Sequence, residues 1–511
     1  MKDVCTSAPS GKLAAEIERE IGYRFPAGTV FAESDAEKGF SVERRAGKMT
    51  VRYSSANELA RAALVAKTFG TEGDFAFRET VPFEDVCLMV DCSRNAVRNV
   101  ETVKKLIRNI ALCGYNSLML YTEDTYEIDG EPLFGYLRGR YSRAELKELD
   151  AYAALFGIEL IPCIQTLAHL QALRRYGRFA GLFDADYTLM VGDERVYALI
   201  EKMFRSLSDC FSARRIHIGM DEPYCLGRGR YLDENGYEET AQVYFRHFVR
   251  VVDLAKKYGL KPIVWSDAFL TSAYRDGTGE PRLPAEVKAA LKTAELMHWD
   301  YYHTDSESYE EKFRLHEKLR VPFWFASTAW ENRGMLPHNT YSCKVCDAAM
   351  PVVKEYGVRH IMQTMWGDDG NDGSLFGSLP ALVWFSLRAR GREEDDIKKE
   401  FFALTGYAFD EFNRIEYPQT FCGKYTDDRA DPAKYGLYND VFSGWLDPEI
   451  DERDDRYFRQ AAKEIRRIPA GQYAYLFDTA AALSDVLAVK YGVGIRLRRA
   501  DKAGGRAGLK K

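Results

Sequence analysis

The segment Ile216-His217-Ile218-Gly219-Met220-Asp221-Glu222 predicts a short strand that ends in two adjacent carboxylates. Side chains alternate along a strand, so His217, Gly219 and Asp221 would share one face and the apolar residues the other. The apolar face suits packing beneath helices. Adjacent acids at the C-terminal end of a barrel strand are typical of hydrolytic active sites. A helix N-cap is the alternative, but the whole His-x-Gly-x-Asp-Glu pattern favours an active site.

Seven further apolar runs accompany that segment, and helical patterns separate all eight. Gly114 is suited to end the helix after the first run, and Ser142 with Glu145 forms a capping box at the start of the helix after the second. This alternation predicts an α/β protein whose residues 81–392 form a (β/α)8 TIM barrel. The runs are CLMVDCS (87–93), SLMLYTE (117–123), IELIPCIQT (158–166), RIHIGMDE (215–222), KPIVWSDAF (261–269), AELMHWDYY (294–302), PFWFASTAW (322–330) and HIMQTMWGD (360–368).

The chain on either side of the barrel has a different composition. Residues 1–80 predict a small N-terminal α/β domain, with a hairpin around Ala46-Gly47 and a helix that ends at Gly70. After residue 392 the strand pattern stops, and residues 393–511 predict a helical C-terminal domain. Its last stretch, ADKAGGRAGLKK, predicts a disordered tail.

Bulk composition excludes several function classes. Of 511 residues, 46% are hydrophobic and 29% charged, and the net charge of −6 argues against a nucleic-acid partner. Cys343 and Cys346 form a single C-x-x-C with no second pair at zinc-site spacing, so we expect no metal. No apolar run resembles a signal peptide or a membrane span, which predicts a cytoplasmic protein without a membrane partner. A homodimer is left open.

These residues identify a resemblance to the family 20 glycoside hydrolases, the β-N-acetylhexosaminidases. The strand-4 motif His217-x-Gly219-x-Asp221-Glu222 bears the resemblance, and TMWGDDGNDG, WENRGMLPHN and LYTEDTYE resemble the intracellular bacterial branch with its helical C-terminal domain. The resemblance implies a cofactor-free enzyme acting on a small carbohydrate substrate.

The resemblance also implies a substrate-assisted mechanism. Most retaining glycosidases place two carboxylates about 5–5.5 Å apart, across the sugar from each other. Adjacent residues on one strand end cannot do this, and in this family the substrate's own 2-acetamido oxygen attacks C1 to give an oxazolinium intermediate. Glu222 would be the general acid and then the base. Asp221 would orient the acetamide and stabilise the positive charge on its nitrogen.

Several substrate-binding residues follow from the same resemblance. In this family, tryptophans at strand ends line the base of the sugar pocket, and Trp265, Trp299 and Trp366 match them. Core packing is the alternative role for each of the three. Asp368 matches an acid on the 4- and 6-hydroxyls. The surrounding GDDGNDG departs from the calcium-loop pattern.

Two histidines and a glutamine complete the predicted surroundings of the carboxylates. His169 matches a family histidine near the end of strand 3. His217 would hydrogen-bond to a carboxylate without contacting the substrate. Either could instead be a core histidine with satisfied hydrogen bonds. Gln165 stands where the family places an aspartate, four residues before His169, which implies an altered acid–histidine arrangement.

The chain departs from the family pattern at two places. No arginine precedes strand 1, and Glu84 or Asp85 is expected to replace it on the sugar's 3- and 4-hydroxyls. Arg94 remains in the DCSR segment and is expected to be a substrate-binding residue. The run PFWFASTAW lacks the family's strand-7 tyrosine, so Tyr301, or else Tyr302, is expected to bond the acetamide carbonyl.

Three functions fit these observations. The leading interpretation is an exo-acting enzyme that releases terminal β-GlcNAc or β-GalNAc. A lacto-N-biosidase-like enzyme that releases a disaccharide would need a longer pocket, which the sequence does not reveal. An inactive sugar-binding barrel would be expected to lack Asp221 or Glu222, and both are present.

Overall fold

A computed structural model describes residues 10–33, 38–70, 73–274, 279–368, 370–427 and 431–503. The chain divides into two compact units. The first is Met1–Thr328 with Asp347–Thr364, and the second is Ala329–Cys346 with Met365–Lys511. The sequence-based division into three domains therefore differs from the compact units, because the N-terminal region and most of the barrel cluster together.

The first unit begins with a four-stranded sheet. Its elements are α1 Gly11–Ile21, β1 Val30–Glu33, β2 Gly39–Arg45, β3 Lys48–Tyr53, α2 Ala56–Phe69 and β4 Phe75–Thr80. The strand order is β1-β3-β2-β4. β2 and β3 pair antiparallel across Ala46 and Gly47, whose φ angles of 49° and 79° are those of a tight two-residue hairpin turn. The predicted hairpin is confirmed, as is the helix that ends at Gly70.

Eight parallel strands form a closed barrel. In chain order these barrel strands, called strands 1 to 8, are β5 Asp85–Asp91, β6 Ser117–Tyr121, β7 Glu159–Cys163, β8 Arg215–His217, β9 Lys261–Trp265, β10 Glu295–Trp299, β11 Phe323–Thr328 and β12 His360–Met365. Each lies within one of the eight apolar runs or begins within two residues of it, so the predicted (β/α)8 barrel is confirmed. All residues of β5 and β6 are buried, as expected for strands covered on both faces.

Helices connect the barrel strands. They are α3 Val100–Cys113, α4 Arg143–Leu155, α5 Gly177–Ala180, α6 Glu194–Ser208, α7 Arg230–Asn235, α8 Thr240–Lys257, α9 Asp267–Ala273, α10 Ala285–Ala290, α11 Ser306–Leu319 and α12 Asn339–Glu355. The predicted capping box is present at α4, where Ser142 and Glu145 each satisfy a backbone N–H of the other. Gly114 ends α3 in the left-handed conformation, as predicted.

A buried charge cluster ties the N-terminal region to the barrel helices. Arg108 of α3 donates from Nε to Glu20 of α1 at 2.7 Å, and Asn109 donates to the same carboxylate at 2.7 Å. A buried carboxylate left without such partners would be costly. This contact explains why residues before the barrel belong to the same compact unit.

The second unit is helical, as predicted. Its helices are α13 Leu379–Ala389, α14 Glu394–Thr405, α15 Phe409–Phe412, α16 Tyr417–Thr420, α17 Pro432–Tyr438, α18 Asp455–Ile465, α19 Ala474–Lys490 and α20 Val493–Lys502. Phe421, Phe458 and Tyr491 form part of its core. The predicted disordered tail is wrong for its first residues, which complete α20. Residues 504–511 lie outside the described part of the chain.

The cysteines of the described residues are free thiols, and Cys343 and Cys346 lie on α12. Within the same ranges, every helix is too short or too polar to cross a membrane. The cytoplasmic location and the homodimer stay predictions.

Candidate active site

The tip of strand 4 leaves the sheet earlier than predicted. β8 ends at His217, and Gly219, Met220 and Glu222 have φ angles of 70°, 69° and 51°. Left-handed residues cannot continue a strand, so the predicted alternation through Asp221 is wrong beyond His217. The carboxylates sit on a tight turn instead of on a strand.

Gly219 is required in this turn by conformation and by space. Its φ is left-handed, and a Cβ at this position would lie 2.0 Å from Oε1 of Gln165. Oε1 of Gln165 also accepts from the Met220 backbone N–H at 3.2 Å. Gln165 therefore braces the turn that presents Asp221 and Glu222.

Gly219→Ala should lower the free energy of unfolding by about 2–4 kcal/mol, because a left-handed alanine and a displaced Gln165 both cost energy. Activity should fall as well, since the carboxylates move with the turn. Gly259 is a matched control: its φ is 67°, but a Cβ there meets nothing within 4 Å. Urea unfolding of both variants gives the comparison, and an equal loss at the two positions would show that crowding at Gly219 contributes nothing.

Asp221 is enclosed and doubly contacted. Gln165 donates from Nε2 to Oδ1 at 2.6 Å, and Nε2 of His169 lies 3.2 Å from Oδ2. Burial alone would raise the pKa of Asp221, but the His169 charge and the Gln165 hydrogen bond outweigh burial and lower that pKa. Asp221 is therefore ionised at neutral pH.

His169 is the cationic partner of both carboxylates. Its Nε2 lies 3.7 Å from Oε2 of Glu222, and its contact with Asp221 is close without being aligned as a hydrogen bond, so charge attraction dominates. Burial opposes the imidazolium, but Asp221 outweighs burial and raises the pKa of His169 to about 9. The sequence predicts His169 at this site, and in the structure its ring lies beside both carboxylates.

His169→Gln should destabilise the protein in a pH-dependent manner. The pKa of His169 rises on folding from its ordinary value near 6.5 to about 9. The stabilisation is therefore complete below about pH 6.5 and is lost as the pH rises through 9, with a magnitude of about 3 kcal/mol. Urea unfolding of the parent and the variant at pH 6, 7.5 and 9.5 measures this difference. A difference that stays constant over this range would contradict the raised pKa.

Glu222 is the accessible carboxyl of the pair, with 35% of its side chain exposed. Its Oε1 accepts from the Tyr224 hydroxyl at 2.9 Å, and its backbone carbonyl accepts from the Tyr187 hydroxyl at 3.1 Å. Its backbone N–H donates to Oδ2 of Asp267 at 3.1 Å. Glu222 is thus the more accessible of the two carboxyl groups, while 12% of the Asp221 side chain is exposed.

Strands 1 and 2 contribute acids that the sequence analysis did not assign. Asp91 ends β5 and accepts from Nη1 of Arg94 at 2.8 Å, while Glu123 follows β6 and accepts from the Tyr121 hydroxyl at 3.2 Å. Burial raises the pKa of Glu123 to about 7, although Arg94 and His169 oppose that rise. Asp91 and Glu123 stand at the ends of two apolar runs, and this position was the sequence feature that could have identified them. Arg94 lies beside both acids, and its contact with a sugar stays a prediction.

The prediction for Glu84 and Asp85 is wrong. Asp85 is the first residue of β5, at the opposite end of that strand from Asp91. It accepts from Nη1 of Arg215 at 2.7 Å and lies 2.6 Å from Nδ1 of His360, while Glu84 pairs with Arg359. In parallel strands, N-terminal and C-terminal ends lie on opposite faces of the barrel. These acids therefore stabilise the barrel bottom and are remote from Asp221.

The predicted roles of His217 and Trp265 also need correction. Nδ1 of His217 accepts from the Gly219 N–H at 3.1 Å instead of contacting a carboxylate, and burial lowers the pKa of His217 to about 3. Its ring centroid lies 4.4 Å from that of Trp265, which is 1% exposed. So enclosed an indole has no free face for a sugar. The two rings therefore have a structural role: His217 holds the turn through the Gly219 N–H, and Trp265 packs against His217.

The remaining predicted substrate contacts are aromatic or acidic. Trp299 is half-buried and stacks on Tyr301 with ring centroids 5.3 Å apart, whereas Tyr302 is 41% exposed. In the second unit, Trp366 is buried and Asp368 is exposed. Their contacts with a sugar stay predictions.

One cluster in the described residues has the composition of a metal site. His169, Asp221 and Glu222 each offer a ligand atom, and these atoms lie within 4.8 Å of one another. A histidine must be neutral to bind a metal, so a metal here would have to displace the proton that Asp221 stabilises on His169. The arrangement is better suited to acid–base chemistry.

Comparison with known proteins gives consistent matches. Residues 86–312 match the model of the glycosyl hydrolase family 20 catalytic domain, and residues 410–511 match that of the glycoside hydrolase 20C C-terminal domain. Human hexosaminidase D is 27% identical over 235 residues, which cover 43% of this chain and 46% of that protein. The bovine hexosaminidase D is 27% identical over 197 residues, 37% of this chain and 55% of that protein. The chain thus spans about half the length of these curated relatives.

Solved structures share the fold. An exo-β-N-acetylglucosaminidase from Vibrio harveyi, in complex with N-acetylglucosamine, aligns with a TM-score of 0.60 at 14% identity, over 76% of this chain and 70% of that one. A Streptomyces plicatus N-acetyl-β-hexosaminidase aligns with a TM-score of 0.57 at 17% identity, over 78% and 88%. At these identities the likeness shows the fold alone. Residues 86–312 and 410–511 together make up more than half of the chain, and the chain belongs to glycoside hydrolase family 20.

Proposed function

We propose that this protein is an exo-acting β-N-acetylhexosaminidase that hydrolyses terminal β-GlcNAc or β-GalNAc with retention of configuration. The observation that supports it most is the pairing at the strand-4 tip of an enclosed, ionised Asp221 with an accessible Glu222. The hexosaminidase names of the relatives agree with this assignment.

The geometry favours substrate assistance. Oxygens of Asp221 and Glu222 come within 4.8 Å of each other on one turn. Two groups on the same turn are poorly placed to flank the anomeric carbon from opposite faces, as a protein nucleophile and an acid must. The substrate's acetamide oxygen would instead form the bond to C1 while the glycosidic C–O bond breaks.

Each carboxyl group then has one task. Glu222 gives its proton to the departing glycosidic oxygen, and the resulting carboxylate takes a proton from the water that attacks C1 and reopens the oxazolinium ring. Asp221 accepts the acetamide N–H and stabilises the positive charge that develops there. The His169 cation keeps Asp221 ionised throughout.

The sugar-binding residues are revised accordingly. We propose that Arg94, oriented by Asp91, takes the place on the ring hydroxyls that had been assigned to Glu84 or Asp85. Trp299 supplies an aromatic face, and Tyr301 or Tyr302 bonds the acetamide carbonyl.

Matched chromogenic substrates test the proposal. The protein should hydrolyse p-nitrophenyl β-GlcNAc with a kcat/KM roughly 10³-fold or more above that for the β-glucoside, because the glucoside lacks the internal nucleophile. A thiazoline analogue of the cyclised sugar should bind far more tightly than GlcNAc. Comparable rates on the two substrates would mean a protein nucleophile, and no hydrolysis of either would contradict the assignment as an exo-hexosaminidase.

A further inference from the structure

Asp267 occupies an unassigned position beside the proposed acid. It is the first residue of α9, two residues after β9 ends at Trp265, and its Oδ2 accepts from the Glu222 backbone N–H at 3.1 Å. Its Oδ1 is shut off from solvent without a hydrogen-bond partner among the described residues. A buried acceptor in this state is costly, and such groups need a reason.

The contact falls on a strained residue. Glu222 has a φ of 51°, which is uncommon for a residue with a side chain, and its N–H donates to the Asp267 side chain. The Tyr187 hydroxyl holds the carbonyl of Glu222, and Asp267 holds its N–H. The backbone of Glu222 is thereby held on both sides of the Cα that carries its side chain.

We propose that Asp267 is a positioning residue that clamps the Glu222 peptide and so sets the direction from which the general acid meets the leaving oxygen. This inference rests on the proposed function. It concerns a residue on the strand-5 loop that acts through Glu222 without touching the substrate.

The charges around Asp267 add a second consequence. Asp221 and Glu222 face it from the strand-4 turn, Tyr244 from α8, and Tyr224 from the loop after Glu222. Burial, followed by the charge of Asp221, raises the pKa of Asp267 to about 7. The clamp therefore changes charge within the working range of pH, and the ionised form holds the N–H more strongly.

The proposal differs from a general structural role in its dependence on the leaving group. A misdirected acid slows substrates whose leaving oxygen needs a proton, and it spares those whose leaving group departs as a stable anion. A loosened fold slows all substrates by one factor. The ratio of kcat/KM values over a series of leaving groups separates the two, because kcat/KM reports the first step.

The experiment compares Asp267→Ala and Asp267→Asn with the parent on β-GlcNAc glycosides from 2,4-dinitrophenyl to a second GlcNAc. Asp267→Ala should lose about 10²-fold in kcat/KM on the disaccharide, because small misplacements cost that much. It should lose less than about 5-fold on the dinitrophenyl glycoside, with thiazoline affinity nearly unchanged. Asp267→Asn keeps an acceptor and should recover most of this loss, while any inflection near pH 7 that Asp267 contributes to kcat/KM disappears.

Glu416→Gln is a matched control. Glu416 is also a buried carboxyl whose pKa is raised to about 7, and it accepts from the Thr340 backbone N–H at 3.0 Å in the second unit. It should alter the melting temperature without altering the leaving-group series. If Asp267→Ala loses one constant factor on every substrate, or if neither variant differs from the parent, the proposal is overturned. If Asp267→Ala does not fold, Asp267→Asn decides by its leaving-group series: a residual loss confined to poor leaving groups supports the clamp, and one constant factor on every substrate overturns it.

The activity of the parent protein separates this inference from the proposed function. A parent inactive on every β-GlcNAc glycoside removes the proposed function itself. An active parent with indifferent Asp267 variants removes only the clamp.

Discussion

Glu222→Gln is expected to lower kcat/KM on GlcNAc disaccharides by about 10³-fold or more, because glutamine has no proton to give to the leaving oxygen. The side chain is partly exposed and keeps its volume, so binding and folding should change little. A dinitrophenyl glycoside should be largely spared in the first step, since its leaving group needs little protonation. Steady-state kinetics on the two substrates measures the contrast.

The partner of Glu222 supplies the control for this prediction. Tyr224 donates to Oε1 of Glu222 at 2.9 Å, so Tyr224→Phe perturbs the same carboxyl without removing its proton. It should cost far less than Glu222→Gln on the disaccharide. Full activity of Glu222→Gln on ordinary glycosides would mean that the acid lies elsewhere.

Asp221→Asn is expected to lower kcat by about 10²–10³-fold, because a neutral amide cannot stabilise the charge that forms on the acetamide nitrogen. KM should change less, since the isosteric amide still fits beside Gln165. The same change removes the main cause of the raised pKa of His169. That pKa should fall from about 9 toward its ordinary value, which NMR titration of the imidazole measures.

Asp305→Asn provides a comparison at a distance. Asp305 caps α11 by accepting from the Ser308 N–H at 2.9 Å, and it lies outside the proposed machinery. It should leave both kcat and the His169 titration unchanged. If Asp221→Asn retained the parent's kcat, the assignment of Asp221 to the acetamide would be wrong. An unshifted His169 would show that the ion pair is weaker than its geometry implies.

The local features of the fold were predictable because short segments encode them. The hairpin at Ala46-Gly47 needs two left-handed residues and flanking alternation, and the capping box at Ser142 needs one glutamate at the right spacing. The eight apolar runs, separated by helices, leave few topologies other than a closed parallel barrel. The motif around Asp221 and Glu222 is likewise contiguous, so the resemblance pointed to it directly.

Residues contributed by other strands were less accessible to sequence reasoning. Glu123 and Asp267 sit near the carboxylates because strands 2 and 5 end on the same barrel face. Their places near the ends of apolar runs were a signal, but such a position does not reveal which other side chains it meets. Glu84 and Asp85 were misplaced because one strand length separates the two barrel faces. A sequence offset does not reveal on which face a residue lies.

The sequence alone therefore determined the barrel, the helical C-terminal region and the two adjacent acids, since periodicity, caps and a contiguous motif are local properties. The tertiary structure decided how those acids differ. Asp221 is ionised because Gln165 and His169, from strand 3, enclose it, and Glu222 stays accessible on a left-handed turn that Asp267, from strand 5, holds. Burial and electrostatic coupling depend on distances through space, which only the folded chain sets.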